Sequence, residues 1–221
     1  MFKQLFSALK GSETLDNAFA EFSEMLEHAN WMFIRANDVL RRQIDAAEAR
    51  DTIYERDKSI NALLRSIRRK IVRHLPINPG MDVAACMARM SVAKDAERIG
   101  DYCKNVFEVG QFYRQDFHIA RYHEPLEEMR QEVESLFSSV QEAFSNSDSS
   151  RAKEALAAAR EARTKSDSII EQLLGDDSSI ETHEAVAYSL LARHYKRVAA
   201  HLANIATAVG GRIEDLDFIN V

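Results

Sequence analysis

Two acidic residues four positions apart, Glu97 and Asp101, are the side chains best suited to chemistry in this sequence. On a helix, this spacing places the two carboxylates about 40° apart and about 6 Å along one face. Such a pair can bind magnesium, manganese, iron or zinc, all of which accept carboxylate oxygens. It can equally form surface ion pairs with arginines, for which Arg65, Arg68 and Arg98 are candidates. The spacing is compatible with both interpretations.

The segment that carries this pair, residues 96–106, recurs in altered form at residues 195–205. The offset is constant at 99 residues, and the matched positions repeat at helical spacing. The matched pairs are Arg98 and Arg197, Ile99 and Val198, Asn105 and Asn204, and Val106 and Ile205. The two carboxylates do not recur, because Lys196 and Ala200 stand in their place. The chain is therefore predicted to be an internal duplication.

Residues 96–106, AERIGDYCKNV, resemble the repeat motif of the PhoU family of phosphate-uptake regulators. Residues 55–63 resemble the second-helix pattern of that family, and residues 166–171 echo them at an offset of 110 residues. The resemblance covers almost the whole chain, in both motif and order. It implies that each repeat is a three-helix bundle in which acids of the second and third helices bind a multinuclear iron or zinc cluster.

In the first repeat, the resemblance implies that Glu97, Asp101, Asp57 and Asn61 form the ligand set for iron or zinc. Asn61 departs from the family pattern, which usually has an acid there, and an amide oxygen brings no negative charge. We therefore expect the metal to be bound more weakly than in the family.

In the second repeat, Asp167 and Glu171 keep the acids of the second helix. Lys196 and Ala200 replace the acids of the third helix. We expect the Lys196 ammonium group to neutralise the two carboxylates in place of a metal ion.

Helix-forming residues dominate the composition, and only three prolines and seven glycines occur in 221 residues. We therefore predict an all-α fold of two tandem three-helix-bundle repeats with six long helices. The predicted organisation is an N-terminal amphipathic segment at 1–12, a first repeat at 13–120, a second repeat at 121–210 and a tail at 211–221. Helix three is predicted to run from about Asp82 to about Ile119, Pro125 to lie in the first turn of helix four, and residues 145–150 to form a loop.

The net charge of −6 opposes nonspecific binding to nucleic acid, so no nucleic-acid partner is predicted. No apolar run is long enough to span a bilayer and no signal peptide is recognisable, which predicts a cytoplasmic protein. Cys86 and Cys103 are accordingly expected to be reduced and buried. Residues 1–12 are expected to dock on the bundle or to fray, with attachment to a membrane surface as the alternative.

The sequence contains none of the short motifs that mark common bundle enzymes, hydrolases or redox proteins. Glu-x-x-His, His-Glu-x-x-His, Gly-x-Ser-x-Gly, Cys-x-x-Cys and phosphate-binding glycine-rich loops are all absent. The seven histidines are interpreted as surface or core residues, and the protein is predicted not to be an enzyme. A metal-binding carboxylate bundle or metal-dependent enzyme is the alternative.

The densest basic run includes Arg65, Arg69 and Arg73, which recur every four residues along one helix face. They are candidates for binding a partner, and the alternative is a solvated face balanced by acids of neighbouring helices. Together with the resemblance, they predict a noncatalytic regulator, with or without a requirement for metal, that binds a phosphate transporter or a phosphate-sensing histidine kinase at the cytoplasmic membrane face. A helical scaffold that has lost metal binding is a further alternative, and a homodimer is compatible with the sequence.

Overall fold

The computed structural model describes residues 13–77, 83–175, 180–210 and residue 216. Six helices account for nearly all of them, and no strand occurs in these ranges. The helices are α1 (Glu13–Leu40), α2 (Ala46–His74), α3 (Val83–Phe112), α4 (Ala120–Asn146), α5 (Ser149–Gly175) and α6 (Thr182–Gly210). The predicted all-α fold with six long helices is confirmed. The predictions for residues 1–12 and for the tail lie outside the described residues, apart from Leu216, which is buried.

Local capping signals set several helix boundaries. Asp45 is extended, and its carboxylate accepts a hydrogen bond from the backbone N–H of Ala47 at 2.7 Å, which begins α2. Ser147 ends α4 in the left-handed conformation, with φ of 53°. The Asp148 carboxylate then accepts hydrogen bonds from the backbone N–H groups of Ser150 and Arg151, at 2.9 and 3.2 Å, and caps the start of α5. The predicted loop at 145–150 is thus too long, because only residues 147 and 148 separate the two helices.

Helix α3 ends at Phe112 rather than near Ile119, so the predicted end of helix three is wrong. Residues 113–119 instead form an irregular connection. The Glu184 carboxylate of α6 accepts a hydrogen bond from the backbone N–H of His118 at 2.6 Å. This tertiary contact takes the donor that a continued helix would have used within its own turn.

The start of helix four also differs from the prediction. Helix α4 begins at Ala120, so Pro125 is its sixth residue and lies beyond the first turn. The N–H groups in the first turn of a helix have no acceptor within the helix. Pro125 lies just beyond that turn, so its missing N–H removes a single hydrogen bond, the one to the carbonyl of Arg121. A loss this small allows the helix to begin upstream of the proline.

The six helices form two bundles that share one apolar core. Helices α1, α2 and α3 pack against one another, as do α4, α5 and α6, and the bundles meet along α1–α4 and α3–α6. At this junction, the ring centroid of Phe33 lies 5.6 Å from those of both Phe137 and Tyr195. All three rings are buried. The core is therefore continuous across the boundary between the repeats.

Paired contacts between α3 and α6 reveal the duplication in three dimensions. Asp95 Oδ1 lies 2.8 Å from His201 Nδ1, and the ring centroid of Tyr102 lies 6.0 Å from that of His194. The offset of 99 residues relates Asp95 to His194 and Tyr102 to His201, so each contact maps onto the other. The third helices of the two repeats thus cross as equivalents. The prediction of an internal duplication is confirmed.

The two cysteines are placed as expected for small core residues. Cys86 and Cys103 are both buried and neither forms a disulfide. Burial raises the pKa of the Cys103 thiol and keeps it protonated. Among the described helices, none is apolar over a stretch long enough to cross a membrane.

Candidate functional site

The predicted ligands of the first repeat lie together where α2 packs against α3. We call Asp57, Asn61, Glu97 and Asp101 the first acidic cluster. Gly100 permits the close approach of the two helices, since a Cβ atom there would lie 3.1 Å from Ile60 Cδ1 and 3.8 Å from Asp57 Oδ1. Asp57 is only 9% exposed as a result. A carboxylate this buried needs a counter-charge.

Lys104 of α3 supplies that counter-charge to the first acidic cluster. Its Nζ lies 3.0 Å from Asp57 Oδ1 and 3.0 Å from Asp101 Oδ1. Burial opposes the charged form of Lys104, but the hydrogen bonds that it donates to Asp101 and Asp57, together with their negative charges, outweigh burial and raise the pKa of the ammonium group. A permanent cation therefore lies between the two carboxylates.

Asn61 also contacts Asp57, but as a hydrogen-bond donor. Its Nδ2 lies 3.0 Å from the backbone carbonyl of Asp57 and 3.3 Å from Asp57 Oδ2. The amide thus offers its nitrogen to the cluster, whereas a metal ion would need its oxygen. The orientation of Asn61 complements the Asp57 carboxylate.

The remaining carboxylates of the cluster form ion pairs within α3. Glu97 Oε2 lies 2.5 Å from Lys94 Nζ, and Asp101 Oδ2 lies 3.1 Å from Arg98 Nη1. Of the arginines expected as partners, Arg98 takes that role. Lys94 and Lys104 were missed by the sequence reasoning, although each lies three residues from an acid of the cluster, at a spacing that permits a helical ion pair.

The second repeat shows the ion pair expected for Lys196. Its Nζ lies 2.5 Å from Asp167 Oδ1, and Arg163 Nε lies 3.6 Å from Asp167 Oδ2. Glu171 is exposed. The predicted neutralisation is confirmed for Asp167, whereas no ion pair between Lys196 and Glu171 occurs in the described part of the chain.

These donor sets do not fit iron or zinc as they are placed. In the first acidic cluster, three carboxylates face the cations Lys94, Arg98 and Lys104, so the local charge is already balanced. Within the ranges that the structure describes, no three His, Cys, Asp or Glu side chains converge as a metal-binding group. The binding of iron or zinc stays a prediction from the resemblance.

Four arginines of α2 form an exposed basic surface that we call the arginine face: Arg65, Arg68, Arg69 and Arg73. Among the described residues, no carboxylate lies within ion-pair distance of any of them. Lys70, from the same basic run, pairs with Glu21 at 3.0 Å, and His74 is buried. The described neighbours thus leave the arginine face unbalanced.

A groove runs between the end of α3 and the start of α6, with a volume of about 670 Å³. Phe112, Val186 and Leu190 line it with exposed apolar surface. His194 lies at one side, and burial lowers the pKa of its imidazole, which favours the neutral ring. The sequence reasoning missed this groove, because the two lining segments are some seventy residues apart in the chain.

Comparison with known proteins places this arrangement in a family. The model of the PhoU domain matches the sequence twice, at residues 22–109 and 126–209. The fold is similar to the crystal structure of PhoU from Pseudomonas aeruginosa, with a TM-score of 0.78 and 19% identity over 89% of this chain and 95% of that one.

It is also similar to the phosphate transport system regulatory protein PhoU from Streptococcus pneumoniae, with a TM-score of 0.71 and 19% identity over 91% of this chain and 96% of that one. No curated protein sequence matches the chain. At such identity the solved structures establish the fold, while the two domain matches span α1 to α3 and α4 to α6. The chain therefore belongs to the PhoU family of phosphate-transport regulators.

Proposed function

We propose that this protein is a noncatalytic regulator of phosphate transport or phosphate signalling. It acts by binding a phosphate transporter or a phosphate-sensing histidine kinase at the cytoplasmic face of the membrane. Family membership supports the phosphate context. The observation that carries the proposal is the arginine face, four exposed arginines without a described acidic partner in a protein of net charge −6.

The chemistry of the arginine face favours an acidic partner surface. Arginine forms two parallel hydrogen bonds to a carboxylate or phosphate, and exposed charges accelerate encounter with a surface of opposite sign. Because these side chains make no ion pair with the described residues, binding a partner breaks no described ion pair. The face is thus available for association at little cost to the fold.

In this role the protein needs neither catalysis nor bound metal. The carboxylates of the first acidic cluster are held by lysine and arginine, so they are poorly placed to act as general bases or as metal ligands. The alternatives of a metal-dependent enzyme or a metal-binding carboxylate bundle have correspondingly less support.

The test is a charge reversal of the arginine face, with Arg65→Glu, Arg69→Glu and Arg73→Glu combined. The matched control combines Lys153→Glu, Arg160→Glu and Arg193→Glu, which are also exposed and change the net charge by the same amount. Binding is measured against membranes from the host that contain its phosphate transporter and, separately, against the purified cytoplasmic part of the phosphate-sensing kinase.

We expect the arginine-face variant to bind at least tenfold more weakly to one of these partners, while the control binds like the wild type. A host strain that lacks this protein and other PhoU-family proteins should also show altered phosphate uptake. Equal binding by both variants would exclude the arginine face as the contact. Unchanged phosphate handling in phosphate-poor and phosphate-rich medium would refute the proposed function.

A further inference from the structure

The third helix of each repeat places a lysine ammonium group against the aspartate that the second helix contributes. In the first repeat Lys104 lies 3.0 Å from Asp57, and in the second Lys196 lies 2.5 Å from Asp167. Asp57 and Asp167 are equivalent under the offset of 110 residues. We propose that these two lysines are built-in cations that take the place of metal ions, so that this chain folds and acts without bound metal.

The two lysines occupy positions that are not equivalent, which strengthens the inference. Under the offset of 99 residues, the counterpart of Lys104 is Ala203 and the counterpart of Lys196 is Glu97. A duplication copies equivalent positions, so a single lysine in the ancestral repeat cannot account for both. Each repeat has therefore gained its own lysine next to the same aspartate. What the two repeats share is neutralisation of that aspartate.

Geometry explains why an ammonium group is sufficient in the first repeat. Lys104 Nζ has three N–H donors and reaches both Asp57 and Asp101 at 3.0 Å. Asn61 donates to the other oxygen of Asp57. The charges of the first acidic cluster already cancel, so a divalent cation added there would leave an excess of positive charge beside Lys104. The lysine thus neutralises both carboxylates and excludes the metal.

The first experiment measures the wild-type protein as purified. We expect iron, zinc and manganese to be far below one equivalent after growth in metal-supplemented medium, and Tm to be unchanged by EDTA or by added Mn²⁺. Metal that an Asp57→Asn, Asp101→Asn variant still binds lies outside the first acidic cluster. It supports the proposal if chelation leaves Tm unchanged and overturns it if chelation lowers Tm. Near-stoichiometric metal that this double variant loses, together with a fall in Tm on chelation, would overturn it.

The second experiment opens the first acidic cluster with Lys104→Met and Asn61→Asp. Methionine keeps the length of the lysine stem, and the new aspartate adds a charged ligand. We expect this variant to gain Mn²⁺ binding, with Tm rising by roughly 5–10 °C at metal concentrations about 100-fold above Kd. The control Lys153→Met, at an exposed site on α5, should show no such rise.

A folded opened variant that gains no Mn²⁺-dependent rise in Tm would show that Lys104 is not what excludes the metal. Should that variant fail to fold, the single substitution Lys104→Met provides the same readout with Zn²⁺ and Mn²⁺. The wild-type measurements decide the matter independently in either case. None of these outcomes depends on the identity of the binding partner, so they test this inference separately from the proposed function.

Discussion

A buried hydrogen bond ties the two repeats together, from the hydroxyl of Tyr195 on α6 to Oδ1 of Asn37 on α1. Both residues are 1% exposed. Burial raises the pKa of Tyr195, so its hydroxyl stays protonated and donates. The Asn37 Nδ2 group donates in turn to the backbone carbonyl of Phe33 at 2.8 Å. The offset of 99 residues pairs Tyr195 with Ala96, so the first repeat has no equivalent bond.

Substituting Tyr195→Phe removes only the hydroxyl and leaves Asn37 Oδ1 buried without its donor. We expect the free energy of unfolding to fall by about 1–3 kcal/mol, the usual cost of a buried unsatisfied polar group. Asn37→Leu removes the acceptor and should cost a similar amount. The double substitution should cost less than the sum by about 1 kcal/mol or more, because no unpaired group is then left on either side.

Urea denaturation followed by circular dichroism measures these differences. The control is Tyr188→Phe, whose hydroxyl donates at 3.3 Å to the carbonyl of Ile119. That carbonyl already accepts backbone N–H bonds from Tyr122 and His123 at 3.0 and 2.9 Å. Glu184, the other partner of the Tyr188 hydroxyl, also accepts the backbone N–H of His118, so removing the hydroxyl should cost less than about 1 kcal/mol. If Tyr195→Phe proves as mild as the control, or if the two substitutions add, the bond does not couple the repeats as we reason.

Further predictions concern helix packing and pH. A Cβ atom at Gly110 would lie 3.0 Å from backbone atoms of Leu40, so the clash in Gly110→Ala should cost about 1–3 kcal/mol, offset in part by a gain in helix propensity of about 1 kcal/mol. In Gly100→Ala the new Cβ atom meets only side-chain atoms, so this variant should lose less stability in thermal unfolding. Burial raises the pKa of Glu127, but hydrogen bonds and charge from Arg130 outweigh it and lower that pKa. The stabilisation from Glu127 is therefore present above the pKa that this group has in the unfolded chain, and it is lost as pH falls through the pKa in the folded protein. In urea titrations, the difference in stability between wild type and Glu127→Gln should shrink as pH falls from about 5 to about 3. A Gly100→Ala variant that is the less stable of the two glycine variants, or a pH-independent effect of Glu127→Gln, would contradict these assignments.

The local sequence was sufficient for the number of helices, their approximate extents and the duplication. Apolar residues at three- and four-residue steps define a helix face wherever they occur, and a constant offset shows repetition without any knowledge of packing. Helix ends were less predictable where tertiary contacts decide them. Helix α3 stops at Phe112 because the connection that follows is held by other elements, including Glu184 from the sixth helix.

Some features of the candidate site could likewise be predicted from the sequence, and others could not. The sequence by itself placed Asp57 and Asp101 on helix faces and predicted the ion pair of Lys196 with Asp167, because residue types and their spacing on one helix are local properties. Which cation neutralises Asp57 depends on how closely α2 approaches α3 at Gly100, and only the tertiary structure shows Lys104 there. Likewise, the charge of an arginine is a property of the sequence, whereas its balance by acids depends on which side chains neighbouring helices bring within about 4 Å.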